Sequence, residues 1–69
     1  GCYAELHATL RSATAKINMM SSFLGPQETR RRLGVISRIA KSLPWLHSEI
    51  VVDRRLREVT ELLAFEVRE

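Results

Sequence analysis

The sequence has little of what catalysis and covalent cross-linking require. Cys2 is the only cysteine, so no internal disulfide can form, and this usage favours a reducing compartment, the nucleus or the cytoplasm. The two histidines, His7 and His47, have no neighbouring nucleophile to activate. No spacing of cysteine, histidine and carboxylate residues resembles a zinc site, and no glycine-rich phosphate loop is present. We therefore predict a protein that is not an enzyme and that uses no metal or cofactor.

Long apolar runs and aromatic side chains are also scarce. No stretch approaches the roughly 20 apolar residues of a membrane span, so no membrane partner is expected. Aromatic residues make up 6% of the 69 residues, which predicts an aliphatic core. A chain of this length suffices for one domain, and residues 1–69 are interpreted as a single helical interaction domain.

The apolar residues of the first third recur with helical periodicity. Their spacings alternate between three and four, as on one face of a helix: Tyr3, Leu6, Leu10, Ala13, Ile17, Met20 and Leu24. We expect this helix to end between Lys16 and Ser22, where turn-forming residues are concentrated. The stripe is expected to pack within its own domain. The alternative is a homodimer whose seam consists of Leu6, Leu10 and Ile17.

A second helix is predicted to begin near Pro26. Its apolar face consists of Leu33, Ile36, Ile39, Ala40 and Leu43. The opposite side carries four cations within an arc of roughly 100°: Arg30, Arg31, Arg38 and Lys41. Gly34 lies on this basic side, where glycine in place of alanine costs about 1 kcal/mol of helix stability.

The last third is predicted to contain one or two further helices. Pro44 either ends the second helix or opens a short one through Trp45, Leu46 and Ile50. Trp45 is expected in the core, and the alternative is that it contacts a partner through an exposed edge of its ring. Asp53 is the predicted N-cap of a final helix. The apolar stripe of that helix consists of Leu56, Val59, Leu62 and Leu63. The arginines after Asp53 would crowd a first turn, where the helix dipole disfavours cations, unless the helix begins earlier.

These segments together predict an all-α fold, a small bundle of three to five short helices. No alternation of the β period appears. Phe65 lies about 180° from the stripe of the final helix, so either the helix ends before it or its ring meets a partner.

The charges are distributed unevenly along the chain. Residues 1–43 carry seven basic and two acidic side chains, whereas residues 44–69 carry four basic and six acidic ones. This asymmetry favours an acidic protein partner. Nucleic acid is the alternative partner, although no aromatic residue is interleaved with the cations for base stacking. Its phosphates would be bound by Arg30, Arg31, Arg32 and Arg38. A solvated helix face without a ligand is the third interpretation.

Two segments of the chain follow a known pattern. One, RRLGVISRIAKSLPWLHSEIVVDRRLREVTELLAFEV, runs from Arg31 to Val67, and the other, LHATLRSATAKIN, runs from Leu6 to Asn18. In the longer segment the matching positions fall in register without a gap: Leu33, Ile36, Ile39, Ala40, Leu46, Leu56, Val59, Leu62, Phe65 and Val67. In these residues the chain resembles the integrase-binding domains of the lens-epithelium-derived growth factor type, within the class of TFIIS N-terminal-like domains.

The resemblance implies a right-handed bundle of short helices whose loops bind disordered peptides that combine acidic residues with a phenylalanine. Phe65 would lie in the loop after the fourth helix, beside the aromatic residue of the peptide. Ile17 and Asn18 would lie in the other contributing loop, and Asn18 stands where the family has an aspartate. This loop is longer here, which brings further apolar residues near the pocket: Met20, Phe23 and Leu24. The chain also stops where the last helix of the family would begin.

We therefore predict a helical adaptor that binds a short linear motif or a partner helix of a nuclear or chromatin-associated protein. Apolar and backbone contacts are expected from Ile17, Asn18, Phe23 and Phe65. The acidic flanks of the motif are expected to meet Arg30, Arg31 and Lys41.

Overall fold

The helical periodicity of the sequence is realised over almost the whole range that the computed structural model describes, residues 2–65. Within this range 87% of the residues are helical and no strand is present. The prediction of a small all-α bundle is confirmed.

Residues 2–65 form four α-helices and one 3₁₀ turn. Helix α1 spans Cys2–Met19, α2 spans Ser21–Leu24, α3 spans Pro26–Ser42 and α4 spans Glu49–Leu62. The 3₁₀ turn, Leu43–Trp45, follows α3 directly. The C-terminal end of α1 agrees with the prediction, and so does the start of α3, which was expected near Pro26 or Gln27. The segment expected to be a turn contains the short helix α2.

Gly25 separates α2 from α3 and belongs to the hydrogen-bonding pattern of both. Its backbone N–H donates to the Ser21 carbonyl at 2.9 Å, and its own carbonyl accepts from the Thr29 N–H at 3.0 Å. Its φ of 84° and ψ of 162° lie in a region that is essentially restricted to glycine. Pro26 then occupies the first turn of α3, where its fixed φ suits a helix and its missing N–H removes no bond. One glycine followed by proline therefore permits two helices to meet at a single residue.

The three long helices lie side by side, and α1 packs against both α3 and α4. Helices α3 and α4 are antiparallel, because Arg32 contacts Leu62 while Arg38 shares a groove with Arg55. Since only α2 and its two junction residues separate the end of α1 from the start of α3, these three helices meet at one end of the bundle. We call it the α2 end, where α4 also stops. The opposite end, with the 3₁₀ turn and the start of α4, is the Trp45 end.

The core is a single cluster of aliphatic residues, as the scarcity of aromatics predicts. Helix α1 contributes Leu6, Leu10, Ala13 and Ile17. Helices α3 and α4, with the 3₁₀ turn, contribute Ile36, Ile39, Leu43, Val52, Val59 and Leu62. The stripe of α1 therefore packs within its own domain. The alternative of a dimer seam formed by Leu6, Leu10 and Ile17 is wrong, because all three side chains are already buried.

Three residues assigned to the core lie outside it. Tyr3 is 46% exposed, since it lies in the first turn of α1 at the margin of the bundle. Ala40 is exposed because the buried stripe of α3 is centred on Ile36, Ile39 and Leu43, and Ala40 falls at its edge. Trp45 is 76% exposed, because the 3₁₀ turn carries it beyond the stripe of α3. These predictions of burial are wrong.

The final helix begins five residues earlier than predicted. Its first intrahelical bond runs from the Val52 N–H to the Ser48 carbonyl at 3.0 Å, so Ser48 and not Asp53 is the N-cap. The arginines after Asp53 consequently lie beyond the first turn, and the conflict with the helix dipole disappears. The short helix expected through Trp45, Leu46 and Ile50 is absent: the backbone is extended at Leu46, and Ile50 belongs to α4.

Candidate functional site

One side of α3 is cationic, exposed and interrupted by a glycine. Arg30, Gly34, Arg38 and Lys41 fall within an arc of about 80° around the helix, and all four are exposed. We call this set the cationic face. Within residues 2–65 none of its three cations forms an ion pair. Its positive charge is therefore uncompensated by the described part of the chain.

Gly34 lies at the centre of the cationic face. Arg30 and Arg38 stand one helical turn on either side of it, each about 6 Å away along the helix axis. A Cβ atom built on Gly34 would meet no atom within 4 Å. The glycine thus leaves a gap in the face that no neighbouring residue fills.

A groove runs beside the cationic face, between α2 and α3. Its volume is about 680 Å³. The residues that line it are Ser21, Ser22, Pro26, Thr29, Arg30, Leu33 and Gly34. Pro26 and Leu33 give the groove an apolar surface, while Arg30 and Gly34 belong both to the groove and to the cationic face. The two features therefore form one continuous surface.

Thr29 lies in this lining and has an unusual environment. Its hydroxyl oxygen is buried and has no hydrogen-bond partner among the described residues. A buried hydroxyl without a partner destabilises a fold, and most buried polar atoms in proteins are paired. The groove is therefore lined by a residue whose hydrogen-bonding capacity is unused.

Arg31, which was predicted to contact a partner, is engaged within α3. Its guanidinium donates two hydrogen bonds to Glu28, from Nε at 3.0 Å and from Nη2 at 2.5 Å. Arg32 also donates to Glu28, from Nε at 2.8 Å. These bonds, those of Arg31 first, lower the pKa of Glu28 to about 2. Arg31 is consequently a partly compensated cation at the margin of the cationic face.

Arg32 does not belong to the cationic face. Its side chain is 15% exposed, and its Nη1 donates to the carbonyls of Leu62 at 2.8 Å and Ala64 at 3.2 Å. These carbonyls lie at the end of α4, where no helical partner is available. Arg32 therefore caps α4 from a neighbouring helix. Its assignment to a phosphate-binding set with Arg30, Arg31 and Arg38 is wrong.

Phe65 lies beyond the end of α4, as expected from its position opposite the stripe. Its ring is partly buried against the core, and the Arg32 guanidinium carbon lies 5.4 Å from the ring centroid. This distance is within the range of a cation–π interaction. Phe65 presents the rest of its ring at the α2 end, and its predicted contact with a partner stays a prediction.

The other predicted contact residues have different environments. Ile17 has no exposed surface, so its assignment as a contact residue is wrong. Asn18 is exposed and Phe23 is 50% exposed, both at the α2 end near the start of α3. Lys41 lies about 16 Å from Arg30 along the axis of α3, so it is remote from the α2 end. Asn18, Phe23, Arg30 and Phe65 therefore lie at the same end of the bundle.

Of the residues that line the groove, only Arg30 was predicted from sequence as a contact residue. Thr29 and Gly34 are among those that were missed. For Gly34 a signal was available, because it lies on the exposed side of a helix where glycine costs stability. For Thr29 no signal existed, since its burial depends on the position of α2.

No group of three or more histidine, cysteine, aspartate and glutamate residues within 2–65 could hold a metal ion. The helices in this range are too short or too polar to cross a membrane. No protein-family model, curated protein or solved structure matches the chain. Function is therefore inferred from the surface of α3 and from the α2 end.

Proposed function

We propose that the protein is a non-enzymatic adaptor that binds a short acidic motif, containing an aromatic residue, in a nuclear or chromatin-associated partner protein. The observation that carries this proposal is the juxtaposition of an uncompensated cationic face with an open, partly apolar groove on α3.

The cationic face supports the acidic character of the motif. Arg30 and Arg38 each offer a planar guanidinium, which binds carboxylates through paired hydrogen bonds. Neither side chain is held by a carboxylate of the described residues, so binding a motif breaks no existing ion pair. Such a field also accelerates the encounter with an acidic segment, and this acceleration weakens with salt.

The groove supports the aromatic component. Its volume of about 680 Å³ lies within the range of roughly 300–1,000 Å³ that is usual for ligand sites. Leu33 and Pro26 offer apolar contacts, and Arg30 lies where the groove meets the cationic face. One apolar side chain in the groove and carboxylates over Arg30 and Arg38 would use both parts of the surface.

The class of partner is proposed from the resemblance alone. The segments Leu6–Asn18 and Arg31–Val67 resemble TFIIS N-terminal-like domains, which bind such motifs in transcription proteins. This resemblance supports a nuclear location, with the cytoplasm as the alternative.

The proposal is tested with a fluorescein-labelled peptide in which one phenylalanine is flanked on both sides by glutamates. We expect saturable binding by fluorescence anisotropy, and no binding of the matched peptide with glutamine in place of glutamate. Replacing both Arg30 and Arg38 with alanine should weaken binding by roughly tenfold. The matched control is the double variant Arg11→Ala, Lys16→Ala, which removes the same charge from exposed positions of α1. Equal losses in the two double variants would contradict a specific cationic face.

Nucleic acid is the second candidate, favoured by the three cations of the same face, which form no ion pair with any described residue. With Arg32 occupied at the end of α4, at most three or four phosphate contacts remain for this surface. The affinity for duplex DNA would then fall with a slope of about −3 in log salt, because each phosphate contact contributes roughly −0.9. Binding of DNA with this slope, together with failure to bind the acidic peptide, would favour this candidate.

A further inference from the structure

We infer that the partner segment crosses α3 at Gly34, with its own backbone closer to the helix than a side chain at this position would permit. This inference rests on the proposed function, because it concerns how the acidic motif lies on the same surface.

The fold itself gives no reason for a glycine at position 34. Glycine has two structural uses: it permits a positive φ, and it lets another group come close to the backbone. The only glycine with positive φ in residues 2–65 is Gly25, so Gly34 has ordinary helical geometry. An added Cβ would meet nothing within 4 Å, so no group of the described chain comes close either. The remaining reason is an approach from outside the chain.

The position of Gly34 fits this approach. It is the midpoint between Arg30 and Arg38 on the cationic face, and it also lines the groove beside α2. A backbone that passes over Gly34 can direct an apolar side chain into the groove beside Leu33. Acidic side chains of the same segment then lie within one helical turn of Arg30 and Arg38. Any side chain on residue 34 would stand in this path.

The inference is tested by two substitutions at Gly34, one of which should stabilise the helix and the other add positive charge, while both should weaken peptide binding. Gly34→Ala should raise the midpoint of thermal unfolding by about 3 to 8 °C, because alanine favours the helix and meets no obstacle. It should nevertheless weaken binding of the glutamate-flanked phenylalanine peptide by about tenfold, because the methyl group separates the two backbones. Gly34→Lys should also weaken binding, although it adds a fourth cation to the face. If attraction between charges alone determined affinity, Gly34→Lys would strengthen binding.

The control variant is Thr60→Ala, which raises helix propensity at an exposed position of α4 outside the groove and the cationic face. It should leave peptide affinity unchanged, which excludes helix stability as the cause of the loss in Gly34→Ala. Unchanged or tighter binding by both Gly34 variants, with weaker binding by the Arg30 and Arg38 double variant, would overturn the inference and leave the proposed function intact. Failure of the unmodified protein to bind the peptide would overturn both.

Discussion

The two ends of the bundle differ in how far they bury their aromatic residues. At the α2 end, Phe65 is partly buried and its ring lies against the Arg32 guanidinium, which also donates hydrogen bonds to the Leu62 and Ala64 carbonyls. At the Trp45 end, Trp45 is 76% exposed, and the Ser48 side chain does not cap α4. The sequence favours the reverse assignment, since Trp45 follows an apolar stripe and Phe65 opposes one. The comparison teaches that the environment of a terminal aromatic depends on which side chains reach it from a neighbouring helix.

The largest effect on the free energy of unfolding is expected from removing the Arg32 side chain, which distinguishes the α2 end. Arg32→Ala should lower the free energy of unfolding by about 2 to 3 kcal/mol, because the end of α4 loses two charge-assisted hydrogen bonds and Phe65 loses its cation. Urea unfolding followed by circular dichroism measures this change. Arg30→Ala, the same substitution two residues away on an exposed position, should change stability by less than about 0.5 kcal/mol. Similar losses in the two variants would mean that Arg32 is not a capping residue.

A smaller effect on stability is expected from protonating Glu28, which removes its bonds to Arg31 and Arg32. The pKa of Glu28 is about 2 in the folded protein and 4.5 as its ordinary value, so the folded state binds the proton less readily. Its stabilising contribution is complete above about pH 4.5 and is lost as the pH falls towards 2. Because acid acts on the whole protein, the contribution of Glu28 is isolated by comparison with Glu28→Gln. The difference in thermal midpoint between the two proteins should be present at neutral pH and vanish near pH 2. A difference that does not change with pH would refute the prediction.

The smallest effect is expected at the Trp45 end. Trp45→Ala should change the free energy of unfolding by less than about 0.5 kcal/mol, because most of the side chain is already in contact with solvent. Urea unfolding provides the measurement, and the emission of Trp45 in the unmodified protein should resemble that of indole in water. A loss comparable to that of Arg32→Ala would show that Trp45 is buried in solution and would remove the contrast between the ends.

The presence of the helices could be predicted from the sequence, because it depends on the local pattern of apolar residues and helix-terminating residues. The stripe from Leu6 to Ile17 and the Gly25-Pro26 boundary both act over a few residues, and the structure confirms α1 and the start of α3. The start of α4 was missed because Ser48 and Asp53 are both good N-caps, and local preference does not rank them. Val52, buried in the core, shows that the helix must start early enough to include it.

The candidate site could be predicted from the sequence only in part, because some of its features depend on contacts between distant segments. The angular positions of Arg30, Arg38 and Lys41 follow from helix geometry, and these residues were identified from sequence. The groove requires the position of α2 relative to α3, which no periodicity reveals. Arg32 was misassigned because its partners, Leu62 and Ala64, lie at least thirty residues away along the chain.

Gly25 has a consequence for recognition that extends beyond its role as a junction. It is the only residue between α2 and α3, and these two helices form the two sides of the groove. The inclination of α2 against α3, and with it the width available to an apolar side chain, is therefore governed by the two torsion angles of one residue. That residue does not line the groove, and its φ of 84° is strained for any amino acid with a side chain. If the groove binds the proposed motif, a substitution at Gly25 would alter ligand selectivity from a position that touches no ligand.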